Sequence, residues 1–179
     1  MVFLEKNFNR LYWLGCALVF VLIALRAFFI PFSHDEASTF FFYVQSDDYL
    51  PYRAHVYTNN HVLNSALSNI CYHLGGSHRF VLRLPNLLSF LGLCWGVYRF
   101  FPHLKSYATR LLLGTFFILT FNFLDFFELC RGYGLSMALL VLGFSFLQDY
   151  FFKPGLKALL FFSISVQLAL AANLTLLVL

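Results

Sequence analysis

The feature that most constrains this chain is a succession of apolar runs too long and too sparsely charged for a soluble core. From Leu11 to Phe32 the only charged residue is Arg26. A run of about 20 apolar residues is enough to span a bilayer as a helix. Further runs extend from about Phe80 to Phe101, from Leu111 to Leu124 and from Gly132 to Phe152. The last begins near Ala158 and is still apolar at Leu179. Inside lipid every backbone N–H and C=O must be satisfied within the protein, so the runs are read as helices. Charged residues make up 11% of the chain, against about 25% in an ordinary soluble domain. The expected fold is therefore all-α: a polytopic membrane helix bundle of about five transmembrane helices. No internal repeat or linker divides it, so residues 1–179 form a single transmembrane domain.

The polar head Glu5 to Arg10, followed by a long apolar run without an Ala-x-Ala-like site, reads as an uncleaved signal anchor. Arg26, near the outer end of that run, is expected to snorkel to the interface. The formal charge of +4 comes from scattered Lys and Arg, not from a cluster, so no nucleic-acid partner is expected. Neither a GxGxxG nor a Walker loop is present. Cys16, Cys71, Cys94 and Cys130 lack CxxC spacing and read as packing residues in preference to a Cys71–Cys130 disulfide.

Residues 33–79 form a polar loop between the first two runs. It opens on Ser33-His34-Asp35-Glu36. Two readings stand for this carboxylate pair. One is a Ser-x-x-Glu capping box at a helix start. The other is a catalytic base at the membrane surface, which a helix N-terminus would hold ionised. Further on, Val62, Leu63, Ala66, Leu67, Ile70 and Leu74 fall on one side of a helix, with His61, Asn64, Ser65, Ser68 and Tyr72 mostly on the other. That amphipathic helix, stopped by Gly75-Gly76, is expected to pack along the interface or against the bundle. Asp47 to Pro51 reads as a turn. Pro85 kinks the second span or marks its start. Asp125, Glu128 and Arg131 stand three apart, as on a helix.

With the N-terminus in the cytoplasm, Lys6, Arg10, Arg99, Lys105, Arg110, Lys153 and Lys157 lie inside, seven of the twelve Lys and Arg. The positive-inside rule favours this orientation. It gathers Asp35-Glu36, the amphipathic helix and the Asp125–Arg131 stretch on the outer face.

The order of these features resembles the GT-C membrane glycosyltransferases, and more closely the bacterial relatives of protein O-mannosyltransferase and of lipid A aminoarabinose transferase. The stretches that carry the resemblance are His34-Asp35-Glu36, Asn59-Asn60-His61-Val62-Leu63-Asn64-Ser65, Gly75 through Arg83-Leu84-Pro85-Asn86-Leu87-Leu88, and Glu128-Leu129-Cys130-Arg131-Gly132-Tyr133. Many such relatives have His-Pro-Pro-Leu-Tyr where this chain has His61-Val62-Leu63-Asn64-Ser65. The resemblance covers the whole chain but only the N-terminal part of such an enzyme. It implies transfer of a sugar from a polyprenyl-phosphate donor to an acceptor hydroxyl on a protein, lipid or glycan, at the outer face of a bacterial inner membrane. Asp35 would be the base, with inversion at the sugar carbon. Glu36 and His61 would support the acceptor or the structure. Arg131, Arg83 and Tyr133 would meet the donor phosphate, with a Glu128–Arg131 pair, interfacial anchoring of Arg83 and an interfacial Tyr133 as the alternatives.

Five histidines (His34, His55, His61, His73 and His78) share the loop with four acids. Their spacing matches no metal motif, so no metal ligand or cofactor is assigned, and a divalent metal would need tertiary assembly. Two other readings remain open: a non-catalytic membrane protein such as a transporter piece, and an inactive fragment or subunit.

Overall fold

The computed structural model describes residues 7–56 and 60–177. Glu5 and Lys6 of the polar head, Asn59 of the Asn59-Asn60-His61 stretch and Leu179 lie outside the described residues. Within them the chain is helical and no strand occurs.

Helix α1 (Phe8–Phe29) has 22 residues, which at 1.5 Å per residue is about 33 Å, the thickness of a hydrocarbon core. It ends where Pro31 forbids continuation. Phe8, Tyr12, Cys16, Ile23 and Ala27 make a buried stripe on it, and much of its remaining surface is exposed apolar side chain. α2 (His34–Thr39) follows at once and runs into a single π-helical turn at Phe40–Val44. α3 (Val62–Gly75) stops at Gly76, whose φ of +80° suits a residue without a Cβ. α4 (Arg79–Phe100) contains Pro85 in its interior, so this proline does not start the span. α5 (Tyr107–Leu119), α6 (Phe121–Asp125), α7 (Gly132–Phe152) and α8 (Leu156–Ala172) complete the set.

α4 is the central helix. Half of its apolar stretch (50%) is buried inside the protein, against 22% for α1 and 28% for α7. It packs on α1, α3 and α7, and α7 in turn packs on α8. Phe90, Leu93, Cys94 and Val97 of α4 meet Tyr12, Cys16 and Ile23 of α1, with Phe127 and Ala138 from beyond α6.

Three helices, α1, α4 and α7, are long and apolar enough to cross a membrane. The other two expected spans are shorter than the sequence pattern. α5 has 13 residues and α8 has 17, about 20 and 26 Å at the helical rise. Thr120 takes an extended conformation (ψ 101°) and splits the run Leu111–Leu124 into α5 and α6. Asn173 does the same at the end of α8, where its side chain accepts from the Thr175 N–H and hydroxyl.

α3 is turned inside out relative to a soluble amphipathic helix. Its polar residues Asn64, Ser65, Ser68 and Asn69 are buried, while Ile70 and Leu74 are 54% and 84% exposed. The polar side finds its partners inside. Asn64 Oδ1 accepts from Asn86 at 2.9 Å, Ser68 donates to Leu82 O at 3.0 Å and Asn69 donates to Val44 O at 2.8 Å. Hydrogen bonds to these partners on neighbouring elements satisfy the polar side chains and decide which face turns inward.

Asp47 turns with φ +58°, and His73 Nε2 lies 2.8 Å from its carboxylate. Hydrogen bonds from His73 and then Asn69 hold that carboxyl below the usual aspartate range. All four cysteines are free, so no Cys71–Cys130 disulfide forms. Cys130 instead meets Ser68 Oγ at 3.3 Å.

Candidate functional site at the loop-bearing end of the bundle

The C-terminus of α1, the N-termini of α4 and α7 and the C-terminus of α8 meet at one end of the bundle, under α2 and α3. The capping box expected at Ser33 forms in full. Glu36 N–H donates to Ser33 Oγ, and Ser33 N–H donates to Glu36 Oε2 at 3.0 Å. Glu36 also accepts from Arg83 through both carboxylate oxygens, at 2.8 Å each, and from Cys130 N–H at 2.7 Å.

Arg83 spends its five N–H donors within the fold. Besides Glu36 they reach the carbonyls of Ala27, Ile30 and Pro31, at 2.7 to 3.1 Å. Both side chains of the Arg83–Glu36 pair are fully buried. The phosphate role expected for Arg83 does not match this placement, because no donor remains to face a ligand. The pair staples the end of α1 to α2, α4 and the α6–α7 loop. Burial opposes ionisation of Glu36, but the bonds from Arg83, Cys130 and Ser33 outweigh it and hold its carboxyl below the usual glutamate range.

Asp35, on the first turn of the same helix, points the other way. It pairs with Arg131 across 96 residues of sequence, and its side chain is 41% exposed against 19% for Arg131. Arg131 does not pair with Glu128 as the spacing allows. α6 ends at Asp125, so residues 126–131 are not helical. Glu128 turns instead to Arg26, which donates to Glu128 at 2.8 Å and to Asp125 at 3.0 Å while stacking over Phe121. Arg26 is therefore an ion-pair partner, where interfacial snorkelling was expected. Burial pushes the Glu128 carboxyl up to about 7, Arg26 opposes the shift and Asp125 adds to it.

From Arg131 the site continues as a row. The guanidinium lies 4.9 Å above the Tyr133 ring and donates to the Tyr133 hydroxyl at 3.3 Å. The Tyr133 ring meets His61 edge-on at 4.8 Å between centroids. His61 is buried, and its Nδ1 lies 3.1 Å from Ala172 O. The four residues Asp35, Arg131, Tyr133 and His61, drawn from α2, the loop before α7, α7 and the start of α3, thus form one contiguous polar strip. A cleft of about 460 Å³ opens beside Tyr133 and His61.

Two residues that organise this strip carry no role in the sequence reading. Asn86 faces Asn64, Leu129 O and Arg131 O with its amide NH2 and accepts from Leu135 N–H at 2.9 Å. It sets the loop that presents Arg131. A polar amide inside an apolar run was the available signal. Gly132 is the second. A Cβ there would lie 1.8 Å from Ala172 O and 2.9 Å from His61 Cβ, which sequence alone could not reveal. Among the described residues no group of three or more His, Cys, Asp or Glu is placed to hold a metal.

No known family model matches the chain, and no curated protein or solved structure shows a significant match.

Proposed function

We propose that this chain is the site-bearing part of a GT-C-type membrane glycosyltransferase that moves a sugar from a polyprenyl-phosphate donor to an acceptor hydroxyl at the extracytoplasmic face. The observation that carries the reading is the half-exposed Asp35 carboxylate, paired with Arg131 and flanked by Tyr133 and His61 at one end of an apolar bundle. A carboxylate suits a general base when it can reach the acceptor proton within about 3 Å. A guanidinium suits the negative charge that builds on a leaving phosphate.

The pair also accounts for order. In the present state Arg131 occupies Asp35. A donor phosphate competes for Arg131 and frees the carboxylate for the acceptor hydroxyl. Asp35 then takes the hydroxyl proton, the oxygen attacks the sugar carbon from the face opposite the phosphate, and the configuration inverts. Glu36 holds α2 in place and touches neither substrate.

Asp35→Asn is expected to lower sugar transfer by about 10²- to 10⁴-fold while the protein still inserts in the membrane and keeps its melting temperature. The check is transfer of radiolabelled sugar from polyprenyl phosphate by the full-length protein. Full activity in this variant sinks the proposal.

The orientation is part of the reading. Arg99, Lys105, Arg110, Lys153 and Lys157 fall at or beyond the far ends of α4, α5, α7 and α8, away from Asp35. An inner-membrane protein with a cytoplasmic N-terminus then carries its site outside. Tyr52 is 79% exposed on the loop. A Tyr52→Cys substitution in a Cys71→Ser background is expected to react with an impermeant maleimide on intact cells. Labelling only after lysis inverts the topology.

A further inference from the structure

The end of the bundle opposite Asp35 carries charge that the fold leaves unneutralised. Phe8 of α1 packs on Phe101 and Tyr107, at 5.0 and 5.6 Å between ring centroids, so α1 begins where α4 ends and α5 begins. His103, in the α4–α5 connection, stacks on Phe152 at 4.3 Å and brings that connection against the end of α7. Among the described residues six cations gather here, Arg10, Arg99, Lys105, Arg110, Lys153 and Lys157, against one acid, Asp149, a net of +5 with histidine counted as neutral. Asp149 is already taken: Arg99 donates to it, and His103 Nε2 lies 3.3 Å from its other carboxylate oxygen. Arg99 also donates to Ser145 at 2.9 Å, and Arg110 turns its Nε back to the Leu104 carbonyl at 2.8 Å.

Lys105, Lys153 and Lys157 differ from these. All three are exposed, and among the described residues none of their side chains has an ion-pair or hydrogen-bond partner. Lys105 lies two residues beyond His103 and Lys153 lies next to Phe152, so the His103–Phe152 stack holds the two lysine-bearing segments side by side. Lys157 stands on the first turn of α8, across the Pro154-Gly155 turn. The first turns of α5 and α8, which begin beside these lysines, hold no acidic residue. The side chains around the lysines are apolar and open: Phe151, Phe152 and Leu156 are 74%, 62% and 72% exposed. A soluble anion would meet the charge and leave those side chains in water. A phospholipid meets both, with its phosphate at the ammonium groups and its glycerol and acyl carbons over the apolar surface.

We infer that the α4–α5 connection and the α7–α8 turn form a docking surface for an anionic phospholipid, whose phosphate is held by Lys105, Lys153 and Lys157 and whose carbon chain covers Phe151, Phe152 and Leu156. Charge complementarity selects the class of lipid. A zwitterionic headgroup brings a cation of its own to a surface where Asp149, the one acid among the described residues, is already paired. An anionic headgroup brings none. Lysine suits such a place, because its ammonium is a point charge on a flexible stem whose carbons lie along apolar surface. Near a membrane surface each lysine favours anionic lipid by about fivefold. The Asp35 strip lies at the other end of the bundle, and sugar transfer plays no part in this binding.

The test uses the full chain carrying Trp13→Phe, which leaves Trp95 as its one tryptophan. Trp95 lies 5.2 Å from the Arg99 guanidinium and is 45% exposed, so its emission reports on lipid at this end. The protein is placed in nanodiscs of phosphatidylcholine and phosphatidylglycerol, with bromine, which quenches tryptophan on contact, on one lipid or on the other. Both faces of a nanodisc carry the same lipids, so the result does not depend on orientation. Brominated phosphatidylglycerol is expected to quench Trp95 at a lower mole fraction than brominated phosphatidylcholine. Lys105→Gln is expected to reduce that preference about fivefold, and Lys105→Gln with Lys153→Gln about 25-fold. Arg53→Gln removes an exposed cation from the opposite end and is expected to leave the preference unchanged. Equal quenching by the two lipids overturns the inference, as does a preference that survives in the double lysine variant or falls as far in Arg53→Gln. Sodium phosphate, set against sodium chloride at equal ionic strength, is expected to leave the quenching in place. Relief of quenching by phosphate alone makes the surface a site for free anions and removes the lipid assignment. Should a lysine variant fail to fold, the unsubstituted lysines decide: the preference is expected to fall as ionic strength rises from about 0.1 to about 1 M, and a preference indifferent to salt overturns the inference.

Discussion

Glu36→Ala is expected to destabilise the protein by about 3–5 kcal/mol, the cost of stranding a buried charge whose partner has been removed. Arg83 and Glu36 are both fully inaccessible to solvent, so the guanidinium has no water to turn to. Its remaining partners, the carbonyls of Ala27, Ile30 and Pro31, are dipoles and do not neutralise it. Ser33 N–H and Cys130 N–H lose their acceptor in the same step. The damage spreads because these groups belong to the end of α1, the start of α2 and the α6–α7 loop. Replacing both charges, as Glu36→Leu with Arg83→Met, is expected to recover a large part of the loss, since a buried ion pair is often matched by well-packed apolar residues. Thermal unfolding in detergent reads all three proteins. A single variant that melts with the wild type overturns this account of the pair. The pH dependence has a definite sign. Glu36 is held below the ordinary glutamate range in the fold. Its contribution is therefore complete above that range and is lost as pH falls through the lowered value. Asp35→Asn, one residue earlier, is expected to keep its thermal stability while losing sugar transfer.

That contrast between neighbours shows what could be read from the sequence. The capping box at Ser33 and Glu36 was legible because it depends on residues three apart. The membrane-length helices α1, α4 and α7 were legible because apolar length is a property of each run alone. The shared face of Asp35 and Arg131 followed from counting crossings, and the structure pairs them. What sequence could not decide was which charge meets which. Arg131 is the first phosphate candidate in the sequence and Arg83 the second, but one dimension does not show which guanidinium the fold itself consumes. Only the packed end of α1, with three carbonyls aimed at one guanidinium, marks Arg83 as the buried staple. The spacing of Glu128 and Arg131 assumed a helix that Asp125 already ends, so Glu128 goes to Arg26. The inward face of α3 was misleading for a different reason. Amphipathic periodicity gives two faces, and the choice between them depends on the solvent. Here Asn86, Leu82 and Val44 supply the buried partners that turn the polar face in.

Gly132→Ala is expected to disrupt the site more than the same change at any other glycine of this chain. The added Cβ would sit 1.8 Å from Ala172 O and 2.9 Å from Ala172 C and from His61 Cβ. None of these is the tip of a flexible side chain. Two belong to the backbone at the end of α8, and the third is fixed to the start of α3. Overpacking usually costs about 1–3 kcal/mol, and more where backbone must move. Here the backbone that must move is the carbonyl that accepts from His61 Nδ1. Relief of the clash therefore separates α7 from α8, breaks the His61 bond and displaces Tyr133, which begins the same turn and packs on His61. The expected result is a lowered melting temperature together with a His61 resonance moved from its wild-type position in ¹⁵N-histidine spectra. Gly15→Ala is the matched control. Nothing lies within 4 Å of its Cβ position, and alanine is the better helix former by about 0.5–1 kcal/mol. A rise or no change at Gly15 with a fall at Gly132 locates the effect in the α7–α8 approach. Equal tolerance at both positions would mean that α7 and α8 do not approach this closely, and the strip from Arg131 to His61 would lose the wall that aligns it.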